Sequence, residues 1–232
     1  MIRTWILALV AFTTLGGCAS TAVSNNDPLE SVNRKVFEFN TVVDDNFAQP
    51  VAKAYQDSVP PFVQGGVRHF FGNLSDFWGG INALAQGSGE AGMLNLMRFI
   101  TNSTFGMAGF LDIASEMGMK RTVTGLNDTL AVYGVPTGPY LMMPLLGPTT
   151  ARGLTARVGE WRVGPIASPL QTVDGTRSRI GLTALEVVDQ RARLLRLTSQ
   201  LGGLALDPYS FVRDAYLQRE RNKISPQDSQ SR

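Results

Sequence analysis

The sequence has few of the residues that carry most enzyme chemistry. Its 232 residues include one cysteine, Cys18, and one histidine, His69. A disulfide needs a second cysteine and a metal site needs several ligands, so neither is expected here. The sequence also has no Gly-x-Ser-x-Gly turn and no glycine-rich phosphate loop. We therefore expect no catalytic residues, no metal and no cofactor, and we interpret His69 as a packed or surface residue.

Charge is scarce in one part of the chain and common in another. The net charge is +2, from 21 basic and 19 acidic residues, and no basic patch predicts a nucleic-acid partner. Residues 60–114 contain five charged residues in 55 positions, whereas residues 174–223 contain 15 in 50. Soluble helices usually carry a polar face. The helices predicted within 60–114 have too few charges to form one.

The N-terminus has the layout of a secretory signal peptide. Arg3 supplies a positive charge, and an apolar segment of 11 residues follows at 5–15. This segment is too short to cross a bilayer, which takes about 20 residues. It ends in Leu-Gly-Gly-Cys at 15–18, which resembles the lipobox of bacterial lipoproteins. The alternative is an ordinary signal peptide cleaved nearby, which would leave Cys18 as a free thiol.

The lipobox resemblance implies that Cys18 is the lipid attachment site and the first residue of the mature protein. Two or more acyl chains, with palmitate as an example, hold a protein firmly to a membrane. Ala19, directly after the cysteine, suggests sorting to the outer membrane. The domain organisation that we expect is a signal peptide at 1–17, a lipidated tether at 18–27, a helical lipid-channel domain at 28–224 and a disordered tail at 225–232.

The spacing of apolar residues predicts an all-α fold. We expect Asp27 to cap the first helix and Pro28 to be its first residue. No segment keeps the alternation of a half-buried strand, so no sheet is expected. The glycine- and proline-rich stretch 134–169 is expected to be irregular. The other predicted helices cover residues 50–57, 60–74, 76–85, 90–117 and 176–200, and a last one begins at Asp207-Pro208.

Two interpretations of the apolar helices are open. In the first, residues 60–117 form the core of a compact bundle, and the charged C-terminal helix covers them. In the second, their outer faces meet lipid, and the helices lie in one leaflet as interfacial elements do. No 18 consecutive residues are both apolar and uncharged, so an ordinary transmembrane helix is not predicted. A lipid tether on the same chain favours the second interpretation.

The segment 135–148 is both apolar and rich in proline. Its four prolines exclude a regular helix or a central strand, yet its leucines and methionines are too apolar for a solvated loop. It is either a loop packed on the core or an apolar gate beside a lipid path. We expect Tyr140 at a boundary between polar and apolar surroundings. The candidate gate residues are Gly138, Pro139, Leu141 and Leu145.

Five stretches together resemble the VacJ/MlaA family of outer-membrane lipoproteins, and they occur in the family's order. The most specific patterns are Asp-Pro-Leu-Glu at 27–30 and Gly-Pro-Tyr-Leu at 138–141. The sequence departs from the family at Ser75-Asp76, where Glu-Pro is usual, and after Pro148, where Thr149, Arg152 and Gly153 replace the usual Ser and Arg-Asp. The five stretches are residues 26–40, 59–76, 98–114, 129–153 and 207–219.

The resemblance implies a ring-like helical bundle, anchored by lipid in the periplasmic leaflet of the outer membrane. A channel through the ring would let phospholipid misplaced in the outer leaflet descend to a periplasmic carrier, with trimeric porins as partners. Polar residues in apolar helices are then candidates for channel or lipid contacts, although a cap or a buried hydrogen bond is the alternative for each asparagine. The candidates are Asn33, Arg34, Asn40, Arg98, Asn102 and Tyr140.

Two other classes of function stay open. One is a structural lipoprotein that accompanies porins and has no transport channel. The other is a lipid-modifying hydrolase, which needs a serine or histidine with an acid and a base in reach. The isolated position of His69 in the sequence weighs against the hydrolase.

Overall fold

The structure is a computed structural model that describes residues 27–164, 167, 170, 173–201 and 207–224. The predicted signal peptide, the proposed lipid attachment site Cys18, the tether before residue 27 and the C-terminal tail lie outside the described residues.

The described residues form helices and one small hairpin, which confirms the all-α class. No helix in the described ranges is both long and apolar enough to cross a membrane. In chain order the elements are α1 (Glu30–Val43), a π-helical turn (Asp44–Ala48), α2 (Gln49–Ser58), α3 (Pro61–Ala85), α4 (Gly89–Phe105), α5 (Ile113–Glu116), α6 (Leu126–Val132), β1 (Tyr140–Met143), β2 (Gly147–Thr150), α7 (Ala151–Val163), α8 (Thr176–Leu201) and α9 (Pro208–Ile224).

The two Asp-Pro pairs behave differently at their helix starts. Helix α1 begins at Glu30, and Leu29 flanks it, so the prediction that Asp27 caps this helix was wrong. Asp27 is buried, and its carboxylate accepts hydrogen bonds from the side chains of Asn33 and Tyr209 instead. Asp207 does open α9 as predicted, because its carboxylate accepts a hydrogen bond from the Ser210 hydroxyl at 2.6 Å.

Helices α3 and α4 pack closely because each carries a glycine at the contact. A Cβ on Gly80 would come within 2.8 Å of the Leu96 side chain, and one on Gly92 would come within 2.6 Å of Leu84. Helix α3 is continuous from Pro61 to Ala85, so the predicted division into 60–74 and 76–85 was wrong. Proline opens α3 as expected, since it is tolerated in a first turn.

The predicted helix over 90–117 is interrupted. Helix α4 ends at Phe105, and the next turn places Met107, Ala108 and Gly109 at φ of 54°, 57° and 93°. A Cβ on Gly109 would come within 2.6 Å of the Asn73 side chain, so the turn packs tightly on α3. It sends the chain back across α3 and α4 as a returning segment, residues 110–124.

Residues 140–150 form a two-stranded antiparallel hairpin, so the expectation of no sheet was wrong. Tyr140 pairs with Thr150, and Met142 pairs with Pro148. A two-stranded ribbon has a free edge on each strand, which is where proline is tolerated. Because Tyr140 and Met142 point inward while their neighbours are half-buried, the strand does alternate, but over only four residues.

Helices α6 and α7 were not predicted. Helix α7 lies within the stretch 134–169 that was expected to be irregular. Thr150 caps it by accepting a hydrogen bond from the Gly153 amide at 3.2 Å, which is a preferred use of threonine. Helix α8 matches the predicted helix over 176–200 and packs on α2, where Gln56 donates to the Ala192 carbonyl at 2.6 Å.

Candidate functional site

Large apolar side chains are exposed on the helices that have little charge. On α3, α4 and the turn after them, Phe62, Met93, Ile100, Phe105 and Met107 are 48% or more exposed, with Phe105 at 73%. No described part of α8 covers them, so the compact-bundle interpretation does not hold for these side chains. Exposed apolar area of this kind marks a surface that binds a membrane, a partner protein or a ligand.

The interior of the described residues is correspondingly polar. Ten apolar residues are buried, and five of these are alanines, whereas fourteen polar or charged residues are buried. A soluble domain has the reverse distribution. The polar side chains buried in α3 and α4 are Asn73, Asp76, Asn82, Asn95, Arg98 and Asn102.

Two of these asparagines attach the returning segment to α4 through their amides. Asn95 donates to the Thr122 carbonyl at 2.7 Å and accepts from the Thr122 amide at 3.0 Å. Asn102 donates to the Asp112 carboxylate at 3.0 Å and accepts from the Ala114 amide at 2.8 Å. Both side chains therefore satisfy backbone or carboxylate groups that burial would otherwise leave without partners.

Arg98 lies at the centre of a buried ionic network. Its guanidinium contacts Asp76 at 3.1 Å and Asp112 at 2.9 Å, and it also donates to the Ser115 hydroxyl and the Met119 carbonyl. Arg121 adds a second contact to Asp76 at 2.6 Å. The network links α3, α4 and the returning segment, and removing one partner would leave a buried charge uncompensated.

The same network sets the ionisation of Asp112. Burial acts to raise the pKa of this carboxyl, but hydrogen bonds from Ser115 and Asn102 and the charge of Arg98 outweigh burial and lower the pKa to about 2. Asp112 is therefore ionised at neutral pH.

Two asparagines of α1 hold the hairpin. Asn33 donates to the Tyr140 carbonyl at 3.1 Å and accepts from the Met142 amide at 2.9 Å. Seven residues further along α1, Asn40 donates to the Met143 carbonyl at 3.0 Å and accepts from the Leu145 amide at 2.8 Å. The Asn33 amide thus pairs with the free edge of β1 as a neighbouring strand would, and the Asn40 amide joins the end of β1 to the turn after it. We call these two residues the asparagine clamp.

Tyr140 lies in the aromatic core beneath the clamp, so the expectation that it sits at a polar–apolar boundary was wrong. Its side chain is 0% exposed, and its ring contacts those of Tyr209 and Tyr216 at centroid distances of 6.3 and 6.1 Å. Its hydroxyl has no hydrogen-bond partner among the described residues. Burial raises the pKa of Tyr140 well above its usual value, so the residue stays neutral.

The tip of the hairpin is apolar and exposed. Leu145 is 71% exposed and adopts φ of 63°, which is uncommon for leucine. Leu146 is 52% exposed. At the base, Gly138 has φ of 69°, and a Cβ there would come within 2.8 Å of Ala151. The hairpin therefore has a fixed base and presents two leucines away from the helices that hold it.

Arg34 and its partners join the two ends of the described chain. Its guanidinium contacts Asp207 at 2.7 Å and Glu30 at 2.8 Å, and it stacks over the ring of Tyr209 at 4.4 Å from the centroid. The Asp207 hydrogen bonds raise the pKa of Arg34 and lower that of Asp207. Both side chains are more than a third exposed, so the contact fixes geometry more than it stabilises the fold.

Two neighbouring cavities lie where α1, the π-helical turn and α2 face α8. One, of about 700 Å³, is apolar and is lined by Phe47, Val51, Ile180 and Val187 among others. The other, of about 600 Å³, is polar and is lined by charged side chains. An apolar space beside a polar one suits a molecule with tails and a head group. The charged lining residues of the second cavity are Asp44, Asp45, Lys53, Asp57 and Arg191.

His69 accompanies no catalytic partner in the described ranges. Its Nδ1 lies 3.3 Å from the carbonyl oxygen of Phe110, which is a packing role on the returning segment. The described residues also contain no group of three or more histidine, cysteine, aspartate or glutamate side chains that could hold a metal ion.

The predicted site residues fall into two groups. Asn33, Asn40 and Tyr140 meet at the hairpin, whereas Arg98 and Asn102 lie in the separate ionic network between α3 and α4. All of these except Asn40 are buried and face protein in this structure, and their contact with lipid stays a prediction.

Asp112 and Tyr209 contact the predicted residues or their partners but were not singled out from the sequence, and Asp27 was singled out only as a helix cap. The sequence does contain a signal for Asp112. Charged residues are rare around it, so it is one of the few possible ion-pair partners for Arg98 in that part of the chain.

The described residues thus form a helical body with exposed apolar side chains, buried polar side chains and a clamped hairpin. The family model described as MlaA lipoprotein matches residues 25–223. The chain belongs to this family.

Relatives and a solved structure agree with this assignment. The intermembrane phospholipid transport system lipoprotein MlaA of Shigella flexneri is 36% identical over 214 residues, covering 89% of this chain and 83% of its own length. The protein of the same name from Haemophilus influenzae is 31% identical over 240 residues, covering 96% and 91%. A solved structure described as "Structural basis for maintenance of bacterial outer membrane lipid asymmetry" is 33% identical, with a TM-score of 0.75, covering 86% of this chain and 99% of that one.

Proposed function

We propose that this protein is an outer-membrane lipoprotein that removes misplaced phospholipid from the outer leaflet and so maintains lipid asymmetry. The observation that carries the proposal is the reversed distribution of side chains. Exposed leucine, phenylalanine and methionine side chains surround buried asparagine, arginine and aspartate side chains. Such a body suits an apolar environment, and the relatives named above are lipoproteins of phospholipid transport.

The anchor in this proposal is the acylated Cys18, which holds the helical body at the periplasmic leaflet. The helices from residue 60 to 117 then face lipid on their outer side. Their backbone is satisfied within each helix, as membrane depth requires. Acyl chains and exposed apolar area act together, so the protein stays with the membrane even when either one is weakened.

The lipid path in this proposal uses polar and apolar walls side by side. The cavities between α2 and α8 supply both, and the head group follows the charged lining while the tails stay on the apolar one. Transfer of this kind needs no covalent step, so the protein acts as a conduit and not as an enzyme. The lipid leaves for a periplasmic carrier, and trimeric porins hold the protein in place.

The gate in this proposal is the hairpin, which lines neither cavity but is bound to α1, the helix that leads into both of them. The asparagine clamp holds the hairpin backbone at Tyr140, Met142, Met143 and Leu145, while the leucine side chains at the tip are exposed, so opening of the gate breaks the Asn40 contacts. In this proposal the position of the hairpin tip depends on the four candidate gate residues, Gly138, Pro139, Leu141 and Leu145.

A reversible crosslink tests the gate and the transport function together. The backbone amide of Leu145 lies 2.8 Å from the Asn40 side chain, so positions 40 and 145 are neighbours, and a crosslink in the double variant Asn40→Cys with Leu145→Cys ties the tip of the hairpin to α1. Under oxidising conditions the variant should leave phospholipid in the outer leaflet, measured by labelling of surface-exposed lipid, and a reductant should restore clearance. Each single cysteine variant is the control.

Normal clearance by the crosslinked protein would show that the hairpin only packs. Normal clearance by cells that lack the protein altogether would contradict the transport function itself. The second candidate function, a structural accessory of porins, predicts this last result.

A chain without its acyl group tests contact with lipid. A version that begins at Ala19 should aggregate without detergent or bind vesicles, because its exposed apolar area stays unchanged. A soluble monomer in detergent-free buffer would contradict the proposed membrane contact.

A further inference from the structure

Glu186 on α8 is a half-buried carboxylate that forms no ion pair with the described residues, although the charge of Arg193 acts on it from further away. Its oxygen accepts one hydrogen bond, from Gln190 at 3.2 Å. The neighbouring Arg193 contacts Asp189 at 3.2 Å instead. Within the described part of the chain, no lysine or arginine nitrogen lies within 4.0 Å of Glu186. Burying a carboxylate without an ion pair costs free energy, and a bound cation would reduce that cost.

The carboxylate faces a small cavity with aromatic walls. The cavity has a volume of about 180 Å³ and lies between α3 and α8, where Phe71, Trp78, Leu74 and Leu170 line it together with Glu186. Burial raises the pKa of Glu186 because it disfavours the charged form, and the charge of Arg193 offsets only part of this effect. A ligand that brings a positive charge would stabilise the charged form of Glu186.

Both aromatic walls are held in position. The Trp78 indole nitrogen donates to Glu160 at 3.0 Å, which fixes the plane of the ring. Phe71 packs edge-on against Phe70, with the centroids 5.3 Å apart. Indole and phenyl faces attract cations, and tryptophan does so most strongly. A preorganised aromatic wall next to a carboxylate is the chemistry that recognises an ammonium group.

We propose that this cavity binds the ammonium group of a phospholipid head group. The inference rests on the proposed function, since it takes phospholipid as the cargo, and it adds a preference for one class of head group. Lipids with a primary or quaternary ammonium fit the carboxylate and the aromatic walls. Lipids whose head group carries only the phosphate charge lack the cation, and Glu186 repels them.

A pair of soluble probes tests binding without any transport step. Phosphocholine and 3,3-dimethylbutyl phosphate have nearly the same shape and the same phosphate, but only the first carries the ammonium charge. Trp161→Phe removes an exposed tryptophan, so that Trp78 reports on its own cavity in the detergent-solubilised mature protein. Phosphocholine should change the Trp78 emission at concentrations about tenfold lower than its uncharged isostere does.

A charge-removing variant tests the role of Glu186 with the native ligand class. Wild-type protein incubated with vesicles of equal phosphatidylethanolamine and phosphatidylglycerol should retain more of the first lipid, as measured by mass spectrometry of the repurified complex. Glu186→Gln should reduce this preference about tenfold. Glu90→Gln is the matched control, because it makes the same change at an exposed position of α4.

Equal response to the two soluble probes would overturn the inference, and this comparison needs only Trp161→Phe, so it holds even where Glu186→Gln fails to fold. A lipid preference unchanged in Glu186→Gln would also overturn it. The proposed function fails separately: a protein that shows the ammonium preference but clears no surface phospholipid contradicts transport and leaves the cavity assignment in place.

Discussion

Replacing Asn33 by alanine should loosen the hairpin and destabilise the whole fold. Asn33 is 2% exposed, so water does not replace what its amide provides. The variant leaves the Tyr140 carbonyl, the Met142 amide and one oxygen of Asp27 without their Asn33 partner.

The expected loss follows from these three contacts. A neutral hydrogen bond contributes about 1 kcal/mol net, and one to a charged group contributes about 2 kcal/mol. Two neutral bonds and the bond to Asp27 therefore give about 4 kcal/mol. For a chain of this length, 1 kcal/mol lowers the unfolding midpoint by roughly 2–4 °C, so the midpoint should fall by about 12 °C.

Thermal unfolding in detergent, followed by circular dichroism, measures this change. Asn46→Ala is the matched control, since Asn46 is exposed and bonds only the Val42 carbonyl of its own helical region. Its midpoint should shift by about 1–2 °C at most, as for other surface substitutions.

Hydrogen exchange then locates the effect. Asn33→Ala should speed exchange of the Met142 amide, whereas Asn40→Ala should speed exchange of the Leu145 amide. Equal midpoints for Asn33→Ala and Asn46→Ala, together with unchanged exchange at Met142, would refute the clamp.

Four other predictions concern the ionic network, the hairpin tip and the lipid anchor. Arg98→Leu should cost about 3–5 kcal/mol and lower the amount of folded protein, because it removes the buried cation between Asp76 and Asp112 and leaves only the partly exposed Arg121 to balance both carboxylates. The pKa of Asp112 is about 2 in the folded protein against a usual 3.8. Its ionised form therefore stabilises the fold above about pH 4, and this contribution is lost as the pH falls towards 2. Asp112→Asn should make the midpoint of thermal unfolding depend less on pH between these two values. Leu145→Asp should slow clearance of surface phospholipid and leave the midpoint unchanged, since the side chain is exposed. Cys18→Ser should abolish the acyl mass on the membrane form, measured by intact-mass spectrometry, and an acylated variant would contradict the anchor assignment.

The asparagines show which part of such a site can be predicted from the sequence and which part cannot. Their presence in apolar helices marked Asn33, Asn40 and Asn102 as important, and a buried hydrogen bond was one of the two roles considered for them. Their partners were beyond reach, because the Tyr140 carbonyl is 107 residues from Asn33 in sequence. Every residue has a backbone carbonyl, so the sequence does not indicate which of these carbonyls accepts a hydrogen bond from an asparagine side chain.

The elements show the same limit in a different form. Long helices with clear periodicity, such as α8, were predicted, and so was the opening of α9 by Asp207-Pro208. The hairpin was missed because its strands have only four residues each and because β2 contains a proline, Pro148. Asp27 failed as a cap because a buried tyrosine and asparagine compete for its carboxylate, and this competition exists only once α9 has docked.

The reversed distribution of side chains also explains why polar contacts specify this fold. When the surrounding phase is as apolar as the helix surface, burial of leucine or methionine gains little, and helices associate through close packing and hydrogen bonds instead. Glycine supplies the close packing between α3 and α4, and the Arg98 network and the asparagine clamp supply directional contacts. A single lost polar contact should therefore matter more here than a lost apolar one. The apolar side chains are then available to contact lipid, as the proposed function requires.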